Sequence, residues 1–183
     1  MTEVIGEGAT ILGGIAVAVA IVVGVKLFRR VRTRRERELV RVLDERLAED
    51  VPAGLKTHLD DVPTVRRVTD EGSDETLVPT VRIDLETSDA PGLKLVFEYV
   101  AAVLESIHPV LDERDADVRR YDVEFTVGPD GLLVEGECRR VSVPVALAEG
   151  LCEDEQYRVH DLRRDVERAA ERGGPAAVWE ECL

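Results

Sequence analysis

Lysine is nearly absent from this chain: Lys26, Lys56 and Lys94 are three of its 24 basic residues, and the rest are arginine. Histidine is scarce too. His58, His108 and His160 lie far apart and no Cys-x-x-Cys occurs, so the spacing of zinc ligands is missing. The three cysteines, Cys138, Cys152 and Cys182, are odd in number and widely spaced. They make no disulfide framework, and as free thiols they suit a cytoplasmic domain. Aromatic residues are only 4 % of the chain. None alternates with a basic run, which removes the stacking platform that single-stranded nucleic acid requires. Nucleic acid is therefore not an expected partner. A phosphate loop is also missing: the glycines of residues 6–14 lead into an apolar run, with no strand before them and no Lys-Ser/Thr after.

Nucleophilic chemistry has no clear carrier. Cys152 and His160 are eight residues apart across a helix start, which is not the signature of a nucleophile with its base. The acidic loop LDERDADV (111–118) is rich in oxygen ligands but lacks the glycine and ligand spacing of a calcium loop. No catalytic, cofactor-binding or metal-ligating residue is assigned, and the protein is not expected to be an enzyme.

What the chain does have is one long apolar run, Ala9 to Phe28, with no charge before Lys26. Twenty residues at about 1.5 Å each span roughly 30 Å, the thickness of a bilayer core. The residues before it carry Glu3 and Glu7 and no basic residue, which disfavours a signal peptide. A basic collar follows: Lys26, Arg29, Arg30, Arg32, Arg34, Arg35 and Arg37, with Arg41 beyond. By the positive-inside rule such a collar stays in the cytoplasm, so the N-terminus is expected outside and the C-terminal domain cytoplasmic. The collar can also bind anionic lipid headgroups. Ala16, Ala20 and Gly24 recur every four residues, a candidate face for helix association.

The rest of the chain is strongly acidic. Net charge is −14 overall; residues 1–25 hold only Glu3 and Glu7, and residues 26–41 hold eight basic against two acidic, which leaves −18 on residues 42–183. High Asp and Glu with little Lys is a halophilic composition, in which surface charge maintains solubility. In molar salt the Debye length is about 3 Å, so net charge says little about partners.

Periodicity supplies the elements. Residues 33–49 read as a stalk helix with Leu39, Val40, Leu43 and Leu47 as its stripe. Residues 63–69 read as a short edge strand and 70–75 as a loop. Alternation predicts strands at 81–86 and 121–127. Between them, 93–107 is the most apolar soluble helix, stopped by His108-Pro109. GPDG (128–131) predicts a turn into a returning strand at 132–138, with a bulge near Arg139-Arg140 that lets Val141, Val143 and Val145 face inward. A last helix covers 153–172 and ends at Gly173-Gly174; the tail 175–183 carries Trp179 and docks on the domain.

The expected architecture is α+β: a single N-terminal transmembrane helix, then a cytoplasmic domain with a small, mostly antiparallel sheet and helices packed on it. Its parts are an extracytoplasmic N-terminus (1–8), the transmembrane helix (9–28), a juxtamembrane and stalk segment (29–50), the domain (51–174) and a tail (175–183). The expected function is a membrane-anchored protein-interaction or scaffold module. Its partners are membrane lipid and a protein partner or a second copy of itself. The alternative is a membrane-tethered enzyme or small-ligand sensor with a site that no motif reveals.

Overall fold

The computed structural model describes residues 36–50, 52–56, 59, 63–70, 76–85, 91–128 and 137–182. The chain divides into two compact units, Met1–Leu39 and Val40–Leu183, and the fold described here belongs to the second. Among the described residues no helix is long and apolar enough to cross a membrane. The run 9–28 and its small-residue face at Ala16, Ala20 and Gly24 lie outside the described residues.

The domain is α+β, with a five-stranded mixed sheet in the order β1-β2-β3-β4-β5. Helix α1 covers residues 36–50. A single turn, α2 (Ala53–Lys56), leads to β1 (Thr64–Asp70) and β2 (Leu77–Leu85). Helix α3 (Leu93–Asp112) crosses to β3 (Arg120–Val127), which is followed by β4 (Glu137–Pro144). Helices α4 (Val145–Glu153) and α5 (Val159–Glu171) precede the closing strand β5 (Ala177–Glu181). Three of the strand pairs are antiparallel, but β2 and β3 run parallel. A parallel pair needs a long crossover, and α3 supplies it.

The core lies where α3 meets the odd-numbered residues of the sheet. Val81, Ile83 and Leu85 of β2 and Tyr121, Val123, Phe125 and Val127 of β3 are all buried, as are Val141 and Val143 of β4. Phe97, Val100, Leu104, Ile107 and Leu111 form the helix's apolar stripe, at spacings of three and four. Tyr99 meets Phe125 edge-on, with ring centroids 6.3 Å apart. The Tyr99 hydroxyl donates to the Leu55 carbonyl at 2.7 Å, which ties α2 to α3. Leu43 and Leu47 of α1 are fully buried, and Asp44 accepts the Val65 N–H at 2.5 Å, so α1 is fastened to edge strand β1.

Four sequence expectations change. Helix α3 does not stop at Pro109 but runs through it to Asp112. The apolar stripe continues past the proline, and burial of Leu111 outweighs one missing N–H donor. Strand β2 begins at Leu77, before Pro79, whose lack of a donor hid the strand's first half. The β3–β4 pairing is antiparallel as expected, but its register is unbroken from Arg120↔Pro144 to Val127↔Glu137. The irregularity falls instead in the β4–β5 pairing between Arg140 and Ser142, where Trp179 adopts a φ of 54°. The expected helix 153–172 is shortened to α5, and a separate helix precedes it. Val145 starts α4 rather than ending a strand, and α5 begins only at Val159, capped by the Asp161 carboxylate accepting the Arg158 N–H at 3.2 Å. The tail forms β5. Residues 129–131 of the expected turn, the strand residues 132–136 and most of the loop 70–75 lie outside the described residues.

Pro109 is exposed, so its ring serves no packing role that alanine would lose. Pro109→Ala should restore a helix donor and raise stability by about 1–3 kcal/mol, seen as a higher urea midpoint at unchanged slope. A lower midpoint would show that the helix depends on the proline.

Candidate functional site

Opposite the core, the even-numbered residues of the sheet are polar, yet several are as buried as the core itself. Thr80, Asp122, Glu124 and Ser142 are 1 %, 3 %, 1 % and 2 % exposed. The register sets them in rows across the strands. One row is Thr80, Asp122 and Ser142; the next is Arg82, Glu124, Arg140 and Glu180; a third is Asp84, Thr126 and Cys138. Side chains directly opposite on one face interact most strongly, so the pattern is a lattice of charge and hydroxyl groups.

Asp122 is well provided for. It accepts from the Ser142 hydroxyl at 2.7 Å and from Arg120 Nε at 3.1 Å. Glu124 is more exacting. Its Oε2 accepts from Arg66 at 2.7 Å, while Oε1 has only the Arg67 guanidinium at 3.5 Å and no hydrogen bond. Thr80 Oγ1 and Arg140 Nε on the same face are also buried without a hydrogen-bond partner. A buried charge normally needs full pairing, so the free lone pairs of Glu124 mark the point where this face is incomplete.

Cys138 on β4 and Cys182 just beyond β5 form a disulfide across the two strands, with Cα atoms 5.5 Å apart. The Cys182 N–H also donates to the Cys138 carbonyl at 3.2 Å. This corrects the expectation of free thiols: strand pairing joins residues 44 apart in sequence, a proximity that spacing alone does not reveal. Both sulfurs and a carboxylate oxygen of Glu124 lie within 4.8 Å of one another.

Cys152, the remaining cysteine, ends α4 with its thiol directed at the Leu104 carbonyl, 3.9 Å away. Burial pushes its pKa up to about 11, helped by the carboxylates of Glu105 and Glu153. A thiol so poised is a poor nucleophile at neutral pH. His160 pairs with Asp161 at 3.3 Å on the exposed side of α5. His108 is buried and shares a hydrogen bond of 2.7 Å with Tyr121. Burial pushes the Tyr121 phenol up, as do Cys152, Glu149 and Asp112, so Tyr121 keeps its proton and acts as donor.

Arginines on the sheet and on α5 have acidic partners. Arg66 and Arg67 meet Glu124, Arg120 meets Asp122, Arg139 meets Glu137, and Arg163 meets Glu167. Arg164 bridges Asp161 and Asp165. Of the basic collar, Lys26, Arg29, Arg30, Arg32, Arg34 and Arg35 lie outside the described residues, and Arg37 is exposed on α1. An open groove of about 470 Å³ runs along α3, lined by Pro52, Leu55, Leu95, Ala101, Ala102 and Val159, with Glu98 and Glu105 among its walls. Burial raises the Glu105 pKa.

Comparison of the chain with protein families, curated proteins and solved structures finds no match.

Two outcomes follow from this geometry. Replacing Cys138 or Cys182 by serine opens a loop of 44 residues, and should lower stability under oxidising conditions by about 4 kcal/mol from loop entropy, with no change when the parent protein is assayed reduced. With its pKa at about 11, the Cys152 thiolate is far rarer at pH 8 than that of an ordinary thiol. Alkylation of Cys152 by iodoacetamide should therefore be at least about tenfold slower than for a free thiol, and should still be rising above pH 10. A rate that levels off near pH 9 would contradict a thiol pKa raised to about 11.

Proposed function

We propose that this protein is a single-pass membrane protein whose α+β domain is a non-catalytic interaction module on the cytoplasmic side. Residues 9–28 would be the anchor, residues 1–8 would lie outside, and residues 29–183 would lie inside. The charge step at the end of the apolar run supports the orientation, with eight basic residues between Lys26 and Arg41.

The observation that carries the interaction reading is the groove on α3. Its apolar side chains, Leu55, Leu95, Ala101, Ala102 and Val159, stand beside the carboxylates Glu98 and Glu105. Apolar grooves of this kind take the apolar face of a partner helix, and acidic walls favour one with basic flanks. The partner proposed is therefore a basic amphipathic segment of another membrane-associated protein, or of a second copy of this chain.

The test is co-purification from native membranes in mild detergent at native salt, with light scattering of the product. A stoichiometric protein partner or a defined oligomer is expected, and Leu95→Glu should abolish it while the protein stays folded by circular dichroism. A monomer with no partner would overturn the interaction reading. Protease digestion of the domain in intact cells, where protection is expected, would separately overturn the orientation.

A further inference from the structure

Glu124 carries a feature that folding alone leaves without a purpose. The residue is 1 % exposed, and its Oε1 accepts no hydrogen bond although Oε2 is held by Arg66 at 2.7 Å. Beside it stand the sulfurs of Cys138 and Cys182, with all three donor atoms within 4.8 Å. The three residues come from three adjacent strand paths, β3, β4 and the end of β5, held in register by the sheet. A rigid scaffold that gathers a buried carboxylate and two sulfurs at one place is a ligand set.

We propose that, when the Cys138–Cys182 bond is reduced, these two thiolates and Glu124 bind one thiophilic divalent cation of the zinc type. Reduction breaks the S–S bond. Two electrons and two protons come from a cellular dithiol, which leaves as its own cyclic disulfide. The cation then displaces both thiol protons and forms two metal–sulfur bonds and one metal–oxygen bond to Glu124. Water completes the four-coordinate shell, as in zinc sites with three protein ligands. Two thiolates select zinc-like ions over magnesium or calcium.

The geometry suits the exchange. Zinc–sulfur bonds of about 2.3 Å at tetrahedral angles place the two sulfurs roughly 3.8 Å apart, a short separation for side chains whose Cα atoms are 5.5 Å apart. Arg66 holds Oε2 while Oε1 accepts no hydrogen bond, so the carboxylate keeps an oxygen open to a cation without that ion pair having to break. Two thiolates and a carboxylate bring three negative charges; the cation and the two guanidinium groups of Arg66 and Arg67 answer them. The same side chains would thus serve two states, a covalent strap in the oxidised chain and a cation site in the reduced one. The inference draws on the cytoplasmic placement proposed above only for its source of reductant, since thiols there are kept reduced.

The experiment uses the full chain with Cys152→Ser, which removes the competing thiol. One half is kept oxidised. The other is reduced with a water-soluble trialkylphosphine, which takes up oxygen from water as the disulfide becomes two thiols, and is then freed of phosphine without air. Both are titrated with Co²⁺. The reduced chain should bind one Co²⁺ per molecule, with visible bands of a tetrahedral site and near-ultraviolet thiolate-to-cobalt bands, and equimolar Zn²⁺ should bleach them. The oxidised chain should show none. Glu124→Gln should weaken binding at least about tenfold, since even loss of an outer-shell partner costs that much. No stoichiometric cobalt spectrum in the reduced parent, or an equal one in the oxidised parent, would overturn the proposal. So would unchanged affinity in a folded Glu124→Gln variant. None of these outcomes depends on where the domain sits or on any partner in the groove.

Discussion

Burying the Glu124 carboxylate removes a charge from water at a cost of several kcal/mol, and the neighbours that offset this cost organise one whole side of the sheet. Arg66 reaches it from edge strand β1, across the width of β2, and Arg67 follows. That reach needs the register slip between Val65 and Arg67, which breaks the regular alternation of β1 so that consecutive arginines meet one acid. In register with Glu124 stand Arg82 and Arg140. The central strand is therefore covered on both faces, by the apolar stripe of α3 on one and by guanidinium groups on the other. A strand buried on both sides normally reads as a continuous apolar run; β3 achieves the same burial with acids and arginines.

Both sides of the sheet respond to that central strand. On the apolar side, the parallel pairing of β2 and β3 demands a crossover, and the 20 residues of α3 provide one long enough to cover the strands it joins. On the polar side, β4 and β5 extend the lattice to Glu180 and to the disulfide. Strand β5 is a short edge strand with a bend at Trp179, whose ring reaches back to Phe125 at 5.5 Å. Its attachment is mostly local to β4, so the covalent link at its end contributes more than it would to a central strand.

Much of the apolar half was legible in the sequence, because period-two and period-3.6 patterns report one buried face directly. Val81-Ile83-Leu85, Tyr121-Val123-Phe125-Val127 and the stripe of α3 are buried as their periods predict. The polar half was not. Alternation assigns Asp122 and Glu124 to water, and nothing local signals that arginines 58 residues away will enclose one of them. Helix α4 was hidden for a similar reason: Val145 continues the alternation of Val141 and Val143, while the chain turns after Pro144 and buries Ala148 and Leu151 instead. The disulfide depends on a strand pairing that brings the tail back to β4, which is a tertiary fact. The candidate site thus rests on non-local pairings throughout, whereas the basic collar and the small-residue face were legible as sequence but fall outside the described residues apart from Arg37.

Salt sorts the chain's many charge pairs into two kinds. The pairs along α5, such as Arg163 with Glu167 and Arg168 with Asp165, are at least partly open to solvent on both partners. Pairs of this kind are worth little even in dilute buffer, and in the molar salt that the composition suits, screening over about 3 Å weakens them further. Glu124 and Asp122 differ because water and ions do not reach their oxygens, and their arginine contacts at 2.7 and 3.1 Å are direct. High salt therefore removes the apparent redundancy of an acid-rich surface and leaves the buried acids as the ones whose pairing matters to the fold. An acid held this way keeps its position whatever the ionic strength, and with it the carboxylate oxygen that lies within 4.8 Å of the two cysteine sulfurs.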